Sequence, residues 1–219
     1  MSRTLKIQVG IPSYSGKLFP ETWETVKTLS AYSGPEPVEF NVLIVPQCYT
    51  AAEGRNKAAS PNCYLKKQVP LYDYYLSMDA DNSFDLSAVF MLLDDKKDIV
   101  SAAYKMRSSA KSCLLDRIVA ARWNGSPGIA GLKDYLPDTT TGLVKVDTVG
   151  LGCCLINSRV FASMEYPFFR HNIVPFDNGK SAIIAPDDVS FAMDAARFGY
   201  DIFVDCNIQV NHHSGNEDR

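Results

Sequence analysis

No apolar run in the 219-residue chain approaches the ~20 residues that a membrane helix needs, so no membrane span is expected. No basic stripe or run is present and the net charge is −3, so nucleic acid is not expected as a partner. The opening Met1-Ser2-Arg3-Thr4-Leu5-Lys6 leads straight into a strand pattern, without the apolar region of a signal peptide. No CxxC pairing occurs among Cys48, Cys63, Cys113, Cys153, Cys154 and Cys206, which argues for reduced, mostly buried thiols in a cytoplasmic protein. What is there is ordinary globular composition, 46% hydrophobic and 21% charged, at a length that suits one α/β domain. The polar Gly215-Asn216-Glu217-Asp218-Arg219 has the character of a linker, as expected of the first domain of a longer protein.

The stretch Tyr72 to Phe84 organises the rest. Its first half is aromatic and apolar, as a buried strand should be, and it stops at Asp79-Ala80-Asp81-Asn82. In open α/β sheets ligands bind just beyond the carboxyl ends of strands. Two carboxylates there, one residue apart, are suited to hold Mn²⁺ or Mg²⁺ together with a substrate diphosphate. An Asp-rich turn has the same composition.

Before it, Leu5–Ile11 alternates into Pro12-Ser13-Tyr14-Ser15-Gly16, a strand opening into a small-residue loop. Pro20 starts a helix with Trp23, Val26 and Leu29 on one face. Phe40–Val45 reads as a central parallel strand. Thr50 can cap a short helix carrying Arg55 and Asn56, which either face a ligand or line a solvated surface.

After it, Asp85 is placed to cap a helix, and 98–104 forms a strand. Residues 123–142, rich in Gly, Pro, Thr and Asp, read as an irregular flap. Residues 143–149 alternate as a strand leading to Gly150 and Gly152, glycines that allow close approach of a ligand or of another backbone. Val189, Ala192, Met193 and Ala196 mark a helix that ends at Gly199. Asp187 and Asp188 at its start suit the macrodipole, or project one carboxylate into a cleft. A final strand ends in His212-His213, a pair that tilts toward metal ligation.

Taken in order, Val9–Tyr14, Gly54-Arg55-Asn56, Asp79–Asn82, Val149–Gly152, Asp187–Phe191 and Val210–His213 resemble a nucleotide-sugar glycosyltransferase of the GT-A fold. The nearest likeness is to such a domain of a large algal virus. The resemblance implies an α/β, Rossmann-like single domain over 1–219: a central, mostly parallel sheet flanked by helices, with a small additional antiparallel element. Residues 1–104 would be mainly nucleotide-binding and 143–215 mainly acceptor-binding and catalytic. It further implies that Pro12, Ser13 and Tyr14 lie by the nucleotide, and that Arg55 and Asn56 touch it. Asp79, Ala80 and Asp81 would meet the nucleotide-sugar, with Asp79, Asp81 and His212 or His213 as metal ligands. Gly152 would let a sugar approach, Asp188 would be the catalytic acid of the family's Glu-Asp pair, and Asp187, the other catalytic candidate, would stand where the family commonly has Glu. The donor would be a UDP-sugar and the acceptor a glycan or other hydroxyl.

A nucleotidyltransferase shares such a sheet and acidic site but wants a basic, Gly-rich first loop, whereas 12–17 carries only Lys17. A non-catalytic nucleotide- or sugar-binding domain is the third alternative.

Overall fold

A computed structural model describes residues 3–60, 70–105, 117–123, 133–176 and 181–213. In chain order the first half forms β1 (Leu5–Ser13), α1 (Pro20–Ser30), β2 (Val38–Pro46), α2 (Ala51–Ala59), β3 (Tyr74–Met78), β4 (Asn82–Ser83), α3 (Leu86–Asp94) and β5 (Ile99–Ala103). There follow β6 (Arg117–Trp123), β7 (Lys133–Pro137), β8 (Leu143–Val146), β9 (Thr148–Val149), β10 (Cys153–Asn157) and α4 (Ser158–Ser163). The chain closes with β11 (Asn172–Phe176), β12 (Ser181–Ala185), α5 (Asp187–Arg197), β13 (Ile202–Gln209) and β14 (Asn211–His212).

The main sheet has the order β2-β1-β3-β10-β5-β13-β8. β10 runs antiparallel to both its neighbours and β8 antiparallel to β13, while the other strands share one direction. β7-β6-β9 form a small separate antiparallel sheet. Strand alternation sends side chains to two cores. In β10, Cys154 and Ile156 join α2, α4 and α5 on one face. Cys153 and Leu155 join α1 and α3 on the other. Each fully buried Leu or Ile in these layers contributes about 1.5–3 kcal/mol of transfer free energy. The architecture is the expected α/β one. Among the described residues no helix is long and apolar enough to cross a membrane. Cys48, Cys153, Cys154 and Cys206 are buried free thiols; Cys63 and Cys113 lie outside the described residues.

Local chemistry behaves as the residue types dictate. Thr50 accepts the Glu53 N–H at 3.1 Å and caps α2. Gly199, at φ +83°, closes α5. Asp85 occupies the N-cap of α3 without a side-chain capping bond.

Several expectations change. β2 is an edge strand, not a central one, and only Val45 in it is buried. Trp23 is 45% exposed, and α1 buries Thr22, Thr25, Val26 and Leu29. Thr25 turns inward because its hydroxyl exchanges hydrogen bonds with the backbone of Phe84, just past the acidic turn. α5 buries Phe191 and Ala195 in place of Met193 and Ala196, since an aromatic cluster with Phe161 and Phe169 draws Phe191 in. Part of the expected flap is a strand, β7; its residues 124–132 lie outside the described ones. The 143–149 strand is broken at Asp147, whose Oδ2 accepts the Trp123 N–H at 2.8 Å, so β8 joins the main sheet and β9 the small one.

Candidate active site

The acidic turn leaves the carboxyl end of β3. Asp79 N–H donates to Gly152 O at 3.1 Å, Asn82 N–H to Asp79 O at 3.2 Å and Phe19 N–H to Ala80 O at 3.1 Å. The chain then pairs as β4 with β14, with His212 opposite Asn82 and Asn211 opposite Ser83. His213 N–H donates to Asp81 O at 2.8 Å. Two-residue strands separated by over a hundred residues thus seat the histidines on the acidic turn.

The two histidines then part. His212 Nδ1 lies 3.1 Å from Lys105 O. A carbonyl only accepts, so Nδ1 carries the hydrogen and, in the neutral ring, Nε2 presents its lone pair. That Nε2 is 3.8 Å from Asp81 Oδ1. His213 instead turns Nε2 to Ser83 Oγ at 2.7 Å and stacks on Phe19. Among the described residues no group of three or more His, Cys, Asp or Glu side chains is assembled to hold a metal. Of Asp79, Asp81, His212 and His213, the structure sets Asp81 and His212 facing one another as a potential ligand pair.

Asp79 is taken up by Arg55. The Arg55 guanidinium pairs with Asp79 Oδ1 and, at 2.5 Å, with Asp187 Oδ2, while its Nε donates to Ser77 Oγ at 3.1 Å. Burial pulls its pKa down, but the Asp79 and Asp187 carboxylates outweigh that and the net shift is upward. Gly54 makes this possible, since a Cβ there would lie 2.5 Å from Pro12 Cβ; without one, α2 packs down onto the end of β1. The expected solvated or nucleotide-facing Arg55 is therefore a buried tie between the acidic turn and the start of α5. Asn56 is buried likewise: its amide donates to Phe169 O at 2.5 Å and accepts Phe169 N–H at 3.1 Å. Both its ends thus bond the backbone of Phe169.

Pro12 and Ser13 end β1, and the Ser13 hydroxyl donates to Lys17 O at 2.8 Å. Tyr14, 77% exposed, follows them at the carboxyl edge of the sheet. Tyr49, also highly exposed, follows the adjacent end of β2 and had no pattern to single it out. Asp187 opens α5 with its carboxylate bound to Arg55. Asp188 is half-buried, with Oδ1 accepting the Val189 N–H at 2.8 Å.

What approaches the two glycines is protein. A Cβ on Gly150 would lie 1.9 Å from the Tyr104 hydroxyl; one on Gly152 would lie 2.1 Å from Asn82 Nδ2 and 3.0 Å from Asp79 Oδ2. Tyr104 accepts the Gly152 N–H at 3.0 Å and sets its ring edge-on to His212. Burial first, then Asp79 and, more weakly, Asp188, push its hydroxyl well above the usual tyrosine value, against the Gly152 hydrogen bond and Arg55. Neither Tyr104 nor Asn82 was picked out as a site residue from the sequence. The only signal was their position, at the carboxyl end of a strand and just after the Asp-x-Asp.

No family model and no curated protein matches the chain. Solved structures that resemble it include the viral protein A197 from STIV, 18% identical, with a TM-score of 0.60 over 98% of this chain and 87% of A197. Another is GalNAc-T7, solved with UDP, GalNAc and Mn²⁺: 10% identical, TM-score 0.58, over 97% of this chain and 44% of that one. At these identities the likeness is one of fold. The chain has a GT-A-like fold. The expected likeness to a domain of a large algal virus finds no match of sequence, and A197 is a viral protein that shares the fold.

Proposed function

We propose that this chain is a metal-dependent glycosyltransferase that moves a sugar from a nucleoside-diphosphate donor, UDP-linked, to a hydroxyl of a glycan or other acceptor. One observation carries the reading: the β4–β14 pairing sets the Asp81 carboxylate beside the lone-pair nitrogen of His212 at the carboxyl edge of β3. Arg55 ties that turn to the start of α5, where Asp188 stands.

The residues present fit a divalent cation. A carboxylate oxygen and an imidazole nitrogen, the latter held by a carbonyl on its other nitrogen, are a suitable donor set with outer support. Two protein ligands leave the remaining positions to diphosphate oxygens and water, as Mn²⁺ or Mg²⁺ prefers. When bound, the ion supplies Lewis-acid stabilisation of the charge that builds on the leaving diphosphate.

The chain's own groups do the rest. Asp81 and His212 would hold the ion, and Arg55 keeps Asp79 in place at the start of the turn. Pro12, Ser13 and Tyr14 border the nucleotide, with the exposed Tyr14 ring available to the base. Ala80 contributes backbone to the donor site, and Gly152, without a Cβ, leaves room for the Asn82 and Asp79 side chains of the turn. Asp188 takes the acceptor proton, or orients the acceptor if configuration is retained. Asp187 serves Arg55 rather than the chemistry.

The test is UDP release by purified protein from a panel of nucleotide-sugars, with Mn²⁺ and with EDTA. Metal-dependent release from at least one UDP-sugar is expected. Release that EDTA leaves unchanged would sink the proposal. So would pyrophosphate formation from a nucleoside triphosphate and a sugar phosphate without any UDP-sugar turnover.

A further inference from the structure

Asn82 is 0% exposed, and among the described residues neither its Nδ2 nor its Oδ1 has a hydrogen-bond partner. Nearly all buried side-chain amides are bonded, because stripping both ends of water without replacement is costly. Asn56 is bonded at both ends of its amide, and Gln8 through its Oε1 but not its Nε2, whereas Asn82, among the described residues, lacks a partner at both ends. An apolar side chain of the same shape would avoid the cost at this position.

The place of the orphaned amide is specific. The backbone of Asn82 faces His212 across the β4–β14 pair and donates to Asp79 O. Its amide nitrogen, the Asp79 carboxylate and the Tyr104 ring all crowd Gly152, where there is no room for a Cβ. Asn82 is thus next in sequence to Asp81 and paired with His212, the two residues that face the proposed ion. An amide both donates and accepts, so it suits either a phosphate oxygen or a water molecule.

Resting on the assignment of the site as a cation–diphosphate centre, we propose that Asn82 is a positioning residue of the loaded state: its carboxamide hydrogen-bonds an oxygen brought in with the ion and holds the acidic turn in register. The oxygen is either a water of the cation or a diphosphate oxygen. The amide is unsatisfied in the free protein and satisfied in the loaded one, so it adds to affinity what it costs in free stability.

The test compares wild type with Asn82→Leu, nearly the same shape without hydrogen bonds. Asn82→Val serves as a smaller strand-compatible variant should Leu not fold. Thermal unfolding is followed for each protein alone, with Mn²⁺ alone, and with Mn²⁺ plus UDP, because a ligand of the folded state raises its Tm. The variant is expected to melt at or above wild type without ligand, and to bind about tenfold or more weakly. Weakening with Mn²⁺ alone identifies a water of the cation; weakening only once UDP is added identifies a diphosphate oxygen. Unchanged affinity overturns the proposal. Loss of affinity together with loss of ligand-free stability also overturns it, since packing alone explains both. A wild-type protein that responds to neither Mn²⁺ nor UDP overturns the site's assignment itself, and the role of Asn82 with it.

Discussion

Replacing Arg55 by Met tests the tie between the acidic turn and α5. The Arg55 side chain is 6% exposed, that of Asp187 11% and that of Asp79 28%. Removing the cation strands the Asp187 carboxylate in low-dielectric surroundings, a loss of about 3–5 kcal/mol. The wetter Asp79 is better screened and adds little. A domain typically holds about 5–15 kcal/mol in all, so a large fraction goes. At this size about 2–4 °C of Tm is lost per kcal/mol, which predicts a fall of about 6–20 °C by scanning calorimetry. Asp187→Asn leaves Arg55 paired with Asp79 and should cost less, about 1.5–3 kcal/mol. The double variant no longer buries an orphaned charge, so the two losses should fall short of additive by well over about 0.5 kcal/mol. If Arg55 instead served a nucleotide, Arg55→Met would keep its Tm and lose only donor affinity. That outcome, or additive losses in the double variant, would refute the reasoning.

Three further outcomes are expected. Asp81→Ala should keep the fold and lose Mn²⁺-dependent donor binding; titration calorimetry with UDP, with and without Mn²⁺, checks this, and undiminished metal dependence would remove Asp81 from the site. Asp188→Asn should bind UDP almost normally while turnover falls ~10²-fold or more, as for loss of a general base; wild-type turnover would take Asp188 out of the chemistry. Asp95 carries a carboxyl pushed up to about 6, by burial first and then by Asp205 and Asp94 against the pull of Lys97. The folded state therefore binds this proton more tightly than the unfolded one, so its contribution is favourable below about pH 4 and is lost as pH rises through about 6. Asp95→Asn should stabilise the protein near pH 7 by about 1–2 kcal/mol, allowing for solvent screening of a half-buried group, and make no difference near pH 4, as read by urea unfolding.

The elements that rest on local chemistry were legible in the residues themselves. The apolar run into Asp79-Ala80-Asp81 ends β3 where its composition changes, Thr50 caps α2 through its own hydroxyl, and Gly199 closes α5 with a positive φ. Each depends on neighbours a few positions away, which a linear pattern records. The exposure of Trp23 and the edge position of β2 were not legible, because what covers a face is another element and leaves no mark on the pattern it covers. The same holds at the site. Asp81, Asp188, His212 and Arg55 were identifiable by type, but their partners were not. The Arg55 guanidinium reaches across 24 residues to Asp79 and 132 to Asp187, and Ser83 meets His213 across 130. Sequence supplied the charges and the strand ends. Only the packing of α2 through Gly54, and the two-residue pairing of β4 with β14, decided which charge neutralises which and which histidine is left to face Asp81, because such contacts between distant segments have no period along the chain.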